Sequence, residues 1–117
     1  MATKEQLKKA LEASWSKDTC YEGHQSIWNA EKPSLGQCFV TTLVINDYLG
    51  GEIMKAKTND GISHYWNVID GEEFDLTRDQ FEPGTEMINP HRVDRGSLEE
   101  NERYRILKQN VEDNIRT

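Results

Sequence analysis

Cys38, His64 and Asp75 occur in the order, and in the local contexts, of a thiol-based catalytic triad. Cys38 falls at the start of an amphipathic stretch, Ser34-Leu-Gly-Gln-Cys-Phe-Val40. His64 opens an alternating stretch, Ser63-His-Tyr-Trp-Asn-Val-Ile69, and Asp75 closes the next one, Glu72-Glu-Phe-Asp75. A thiol attacks as thiolate, which a helix N-terminus and a neighbouring imidazolium both favour. An imidazole needs a carboxylate to fix its tautomer and orientation. Together these residue types point to acyl transfer on an amide. The Cys38 sulfur attacks the carbonyl, His64 protonates the leaving amine, and water or a second amine resolves the thioester.

Each residue also has a plainer explanation. A free cysteine near a helix start serves as a small buried apolar residue, and a strand histidine as a half-buried ring with its nitrogens satisfied. Asp75 can cap the turn at Leu76-Thr77-Arg78. Gln37 reads as the glutamine of a capping box or as an oxyanion donor. Trp28 and Trp66 read as core or rim aromatics first, and as donors or substrate walls second. A second constellation competes: Cys20 and His24, four apart, with Cys38 or His91 completing a zinc site. Gly23 argues against the helix that would align the first two, and no Cys-x-x-Cys pair exists. No metal and no cofactor is therefore expected, and His91, in Asn89-Pro-His-Arg92, reads as a solvated loop residue.

The elements that must position the triad can be read from periodicity. Residues 4–14 form a helix with Leu7, Leu11, Ala10 and Ala13 inward. Residues 15–33 show no sustained period and read as a long packed loop anchored by Trp15, Tyr21, Ile27 and Trp28. Ser34 with Gln37 matches a capping box for a helix over residues 36–49, stopped by Gly50-Gly51. That puts Cys38 in the first helical turn, where the dipole favours an anion. Strands follow at residues 52–58, 62–69 and 72–76, joined by Asn59-Asp60-Gly61 and Asp70-Gly71 turns. A hairpin at the second turn sets His64 within one register step of a direct cross-strand pair with Asp75. Residues 77–81 read as a helical turn and residues 82–95 as an irregular excursion. Ser97-Leu-Glu-Glu100 then caps a last helix to residue 114, with Tyr104, Leu107, Val111 and Ile115 on one side. One α+β domain accounts for the whole chain.

Bulk properties exclude rather than identify. The chain has 117 residues, enough for one core without disulfides or a metal. Net charge is -7, from 21 acidic and 14 basic side chains, which argues against nucleic acid or an anionic membrane as partner. No apolar run reaches the roughly 18 residues of a membrane span, and the N-terminus lacks the apolar core of a secretory signal. The expected location is cytoplasmic, with Cys20 and Cys38 as free thiols.

The chain resembles the YunG-type family of small bacterial proteins. The resemblance rests on Ser14-Trp-Ser16, Pro33-Ser-Leu-Gly-Gln-Cys38, Asp47-Tyr-Leu-Gly-Gly-Glu-Ile53, His64-Tyr-Trp-Asn67 and Asp75-Leu-Thr-Arg-Asp-Gln-Phe81. More distantly, Cys at a helix start, His-x-Trp on a strand and Asp-x-Thr on the next is similar to the transglutaminase-like branch of papain-like enzymes. That likeness implies Cys38 as nucleophile, His64 as general base and acid, and Asp75 as orienting carboxylate. It also implies an oxyanion held by the Cys38 N–H and an upstream donor, Gln37 or Trp28. The substrate would be a peptide, a protein or a small amide. The rival reading is a non-catalytic domain of the same fold that binds a partner through the loop from Trp15 to Trp28.

Overall fold

The computed structural model describes residues 2–116. Helix α1 (Lys4–Ser14) starts where Thr3 and Gln6 exchange backbone-to-side-chain hydrogen bonds of 3.0 and 3.1 Å, a complete capping box. Its buried face is Leu7, Ala10, Leu11 and Ser14; Ala13, expected inward, is exposed. Ser14 takes its place because its hydroxyl is satisfied inside, donating to Ala10 O and accepting from Asn114 Nδ2 at 2.8 Å.

Helix α2 (Cys38–Leu49) is the centre of the molecule. Val40, Leu43 and Val44 are fully buried and Ile45 nearly so, each contributing roughly 1.5–3 kcal/mol by leaving water. A helix apolar on most sides must be covered on most sides. Here α1 and α3 (Glu102–Arg116) cover one flank with Leu7, Leu11, Tyr104, Leu107 and Val111. The sheet covers the other. Asn67 donates to Thr42 O at 3.1 Å, the Phe39 and Tyr65 rings meet edge-on at 5.1 Å, and Ile69 enters the core.

The four-stranded antiparallel sheet has the order β3-β2-β1-β4, from strands β1 (Glu52–Thr58), β2 (Ser63–Ile69), β3 (Glu72–Phe74) and β4 (Met87–Val93). Strand β4 occupies part of the segment expected to be irregular. Asn89-Pro90 breaks the alternation that signals a strand, and Asn89 takes a positive φ of 53°. The strand pairs only with β1, with a register shift between Lys55 and Lys57, so proline is tolerated at this edge.

Three other expectations change. The loop over residues 15–33 is packed, but through two 3-10 turns, Lys17–Thr19 and Glu22–Ile27, and Tyr21 and Ile27 lie at its surface, 55% and 60% exposed. Ser34 does not cap α2: Gln37 N–H donates to Ser34 O at 3.1 Å, Gly36 turns the chain at φ 70°, and the helix begins only at Cys38. Ser34 Oγ is left buried without a partner. For α3 the cap is Asn101, whose Oδ1 accepts from Tyr104 N–H at 2.9 Å, while Ser97 closes a separate 3-10 turn.

Candidate active site

Three elements converge on His64. It starts β2 at a point where β3 no longer pairs, because β3 reaches only Asn67, Val68 and Ile69. The β2–β3 register sets Asn67 opposite Phe74, which carries Asp75 to the level of Trp66. His64 and Asp75 are therefore diagonal neighbours, two positions apart rather than one, a separation that a carboxylate and an imidazole can span. His64 Nε2 and Asp75 Oδ2 are 2.7 Å apart.

Asp75 is saturated with donors. Its Oδ2 also accepts from Arg78 Nε at 2.7 Å, and its Oδ1 accepts from Thr77 N–H at 3.2 Å and Thr77 Oγ1 at 3.4 Å. Burial favours the neutral acid, but the hydrogen bonds and charges of His64 and Arg78 outweigh it and hold the carboxyl below its ordinary range. A carboxylate so held commits the Nε2 nitrogen of His64 to a proton.

The other ring nitrogen, Nδ1, is buried and has no conventional hydrogen-bond partner. Burial opposes a charge on the fully buried His64, yet the hydrogen bond and charge of Asp75, with a contribution from the nearby Cys38, push its pKa up to about 9. Cys38 is half-buried at the first position of α2, with Sγ 4.0 Å from Ser63 O beside the unpaired edge of β2. The N–H groups of a first helical turn have no intrahelical acceptor, so the Cys38 amide is free to face a developing oxyanion.

Packing holds the imidazole in this plane. Trp66 stacks on it with centroids 5.6 Å apart at 21°, and Phe81 meets it edge-on at 4.9 Å. Arg78 lies over the Trp66 ring at 5.4 Å.

The helix start is positioned from the loop side. Gln37 is fully buried, donates from Nε2 to Ser16 O at 3.0 Å and accepts at Oε1 from Thr19 Oγ1 at 2.7 Å. Trp15 Nε1 donates to Thr41 Oγ1 at 2.8 Å. Gln37 thus clamps the loop to α2 with both ends of its amide engaged. Trp28 Nε1 donates to Pro33 O at 3.1 Å, and Trp66 Nε1 to Glu73 Oε2 at 3.0 Å. Each of the three side chains considered as oxyanion donors already has an acceptor.

Cys20 and His24 do not join Cys38 or His91 in a cluster. Among the described residues, no three or more His, Cys, Asp or Glu side chains gather as a metal site. His91 lies on β4, with Nδ1 2.9 Å from Asn89 O.

Arg78 and Phe81 lie in the Asp75–Phe81 motif but carry no expected site role from it. A signal existed: residues 75, 78 and 81 are spaced by three, and a 3-10 turn (Arg78–Gln80) follows Asp75, so three-residue spacing returns each to one side.

Cys38 opens onto a cavity of about 510 Å³ walled by Tyr21, Phe39 and Tyr65. A larger hollow of about 700 Å³ reaches Asp75 from another side, but neither Cys38 nor His64 lines it, so a molecule bound there does not meet the thiol.

These features define an α+β domain in which a strand histidine is bound to a turn aspartate and a cysteine starts the central helix. The chain belongs to the YunG family, whose model, described as YunG protein, matches residues 3–116. A relative from Bacillus subtilis (strain 168), "Uncharacterized protein YunG", is 36% identical over 107 residues, covering 90% of this chain and 88% of its own. No solved structure matches the chain. Among the described residues, no helix is long and apolar enough to cross a membrane.

Proposed function

We propose that this protein is a cysteine-dependent acyl-transfer enzyme with a transglutaminase-like, papain-like core, acting on an amide of a peptide, a protein or a small molecule. The observation that carries the reading is the state of His64. One nitrogen is bound to a saturated carboxylate, and the other is buried, without a conventional partner, under the influence of Cys38. A histidine kept only for packing has no need of an adjacent thiol to complete it.

In this reading the imidazolium stabilises the Cys38 thiolate, which adds to the amide carbonyl. The Cys38 N–H holds the oxyanion. The carbon–nitrogen bond then breaks as the His64 proton passes to the leaving amine, and a thioester remains. Neutral His64 next takes a proton from water, giving hydrolysis or deamidation, or from a second amine, giving transamidation. The new nucleophile displaces the sulfur.

The test is alkylation of Cys38 by iodoacetamide at pH 7, in the wild type and in His64→Gln, with thermal melting on both. The expected result is a rate at least about tenfold lower in a folded His64→Gln protein. An unchanged rate in that folded variant, or a wild-type thiol reacting like free cysteine, would leave the fold as a non-catalytic domain.

A further inference from the structure

The wall of the Cys38 cavity differs in charge from the rest of the molecule. Carboxylates outnumber cations 21 to 14 along the chain, yet among the described residues no Asp or Glu lines this cavity. Its one permanent cation is Arg103, from the first turns of α3.

Arg78, Arg92, Arg95 and Arg105 each have a carboxylate partner. Arg103 has none within 4.0 Å among the described residues. Its single hydrogen bond runs from one terminal nitrogen to Thr19 O at 3.4 Å, and its guanidinium lies 5.9 Å from the Tyr21 ring centroid. A guanidinium offers five N–H donors in a planar fork that matches a carboxylate, so most of that capacity is unused.

The same wall holds a buried donor without an acceptor among the described residues. Gln80 Oε1 accepts from Gly36 N–H at 3.1 Å, which fixes the amide, and its Nε2 has no partner. Among the described residues, no wall carboxylate competes for Arg103. The aromatic rings of Tyr21, Phe39 and Tyr65 supply most of the remaining wall, with His24, Ile62 and Ser63 beside them.

We propose that this cavity selects acyl substrates with an apolar or aromatic body and a carboxylate, the carboxylate pairing with Arg103 while the carbonyl lies at Cys38. This rests on Cys38 being the nucleophile of the proposed reaction. Arg103 is a specificity-determining residue on this assignment, and the proton steps stay with His64.

Iodoacetate and iodoacetamide differ at the position that matters, since one carries a carboxylate and the other a neutral amide. Their rates with Cys38, read by mass spectrometry of the full chain at low salt, give a ratio for the wild type, Arg103→Gln and Arg103→Lys. The His64 ring attracts iodoacetate in all three proteins, so the change between proteins is what counts. The expected result is a ratio about fivefold lower in Arg103→Gln, consistent with loss of one charge near the site, and largely restored in Arg103→Lys. An unchanged ratio in a folded Arg103→Gln protein overturns the proposal.

A second measurement needs no variant. At constant ionic strength, phenylacetate should slow iodoacetamide alkylation of the wild type more than phenylacetamide does, and equal protection overturns the proposal. A Cys38 no more reactive than a free thiol overturns the acyl-transfer reading itself, and this proposal with it.

Discussion

Cys20 is fully buried, and a Cβ placed on Gly36 would lie 2.5 Å from its sulfur. Desolvation pushes its thiol pKa up, against a smaller opposing pull from the Arg103 charge. Cys38, two residues beyond Gly36 in the chain, is half-buried at a helix start and contributes to the raised pKa of a histidine that a carboxylate already orients. One sulfur is packing, and the other is the nucleophile of the proposed reaction. What separates them is water, a helix terminus and the nearest titratable ring, none of which is a property of the cysteine side chain.

The widest gap expected from this contrast is in labelling. Under native conditions iodoacetamide should modify Cys38 about a thousandfold faster than Cys20, whose access requires local or global opening. Peptide mapping by mass spectrometry checks this, and comparable rates would dissolve the distinction.

Gly36 separates the two environments in sequence and serves both. Its φ of 70° and the approach of Cys20 Sγ leave no room for a methyl group. Gly36→Ala should cost about 2–4 kcal/mol in urea unfolding, and Cys20→Ala in the same chain should recover part of it. An undiminished stability in Gly36→Ala would mean that Cys20 is not packed as described.

The His64 side of the comparison is read by pH. Its pKa is raised from 6.5 to about 9 in the folded protein. The associated stability is thus fully present below about pH 6.5 and is lost as pH rises through about 9, a loss on the order of 3 kcal/mol. Asp75 has the opposite sign: its lowered pKa contributes stability above the ordinary value of 3.8 that is lost as pH falls through the folded value. Unfolding free energies measured across this range should show the alkaline decline in wild type and not in His64→Gln. A decline of equal size in both would place its origin elsewhere.

The smallest effect concerns Ser34, in the loop that carries both cysteines toward their sites. As a helix cap its replacement by alanine would cost about 1 kcal/mol. With its hydroxyl buried and unpartnered, Ser34→Ala should instead be neutral within about 0.5 kcal/mol, or slightly stabilising, in thermal melts.

Much of the frame was legible before any coordinates. The α1 bounds and the β1 bounds coincide with the periodicity, because each is a regular stretch with its own stop signals. The His64–Asp75 proximity followed from a tight turn, with the offset differing by one position. The Ser34 cap misled because Gly36 uses its positive φ to make a further turn before the helix. Strand β4 was hidden because its pairing comes from β1 rather than from alternation of its own residues.

The sequence by itself determined what depends on neighbours in the chain: helix and strand periods, the Asp70-Gly71 hairpin, and the order Cys38, His64, Asp75. Only the tertiary structure decided that His64 is buried with one nitrogen on Asp75, that Gln37 faces the loop rather than the thiol, and that Arg103 joins Cys38 in one cavity wall from α3. Those outcomes turn on how α2 packs between the other helices and the sheet, a matter of shape and burial summed over the whole core, which no local spacing encodes.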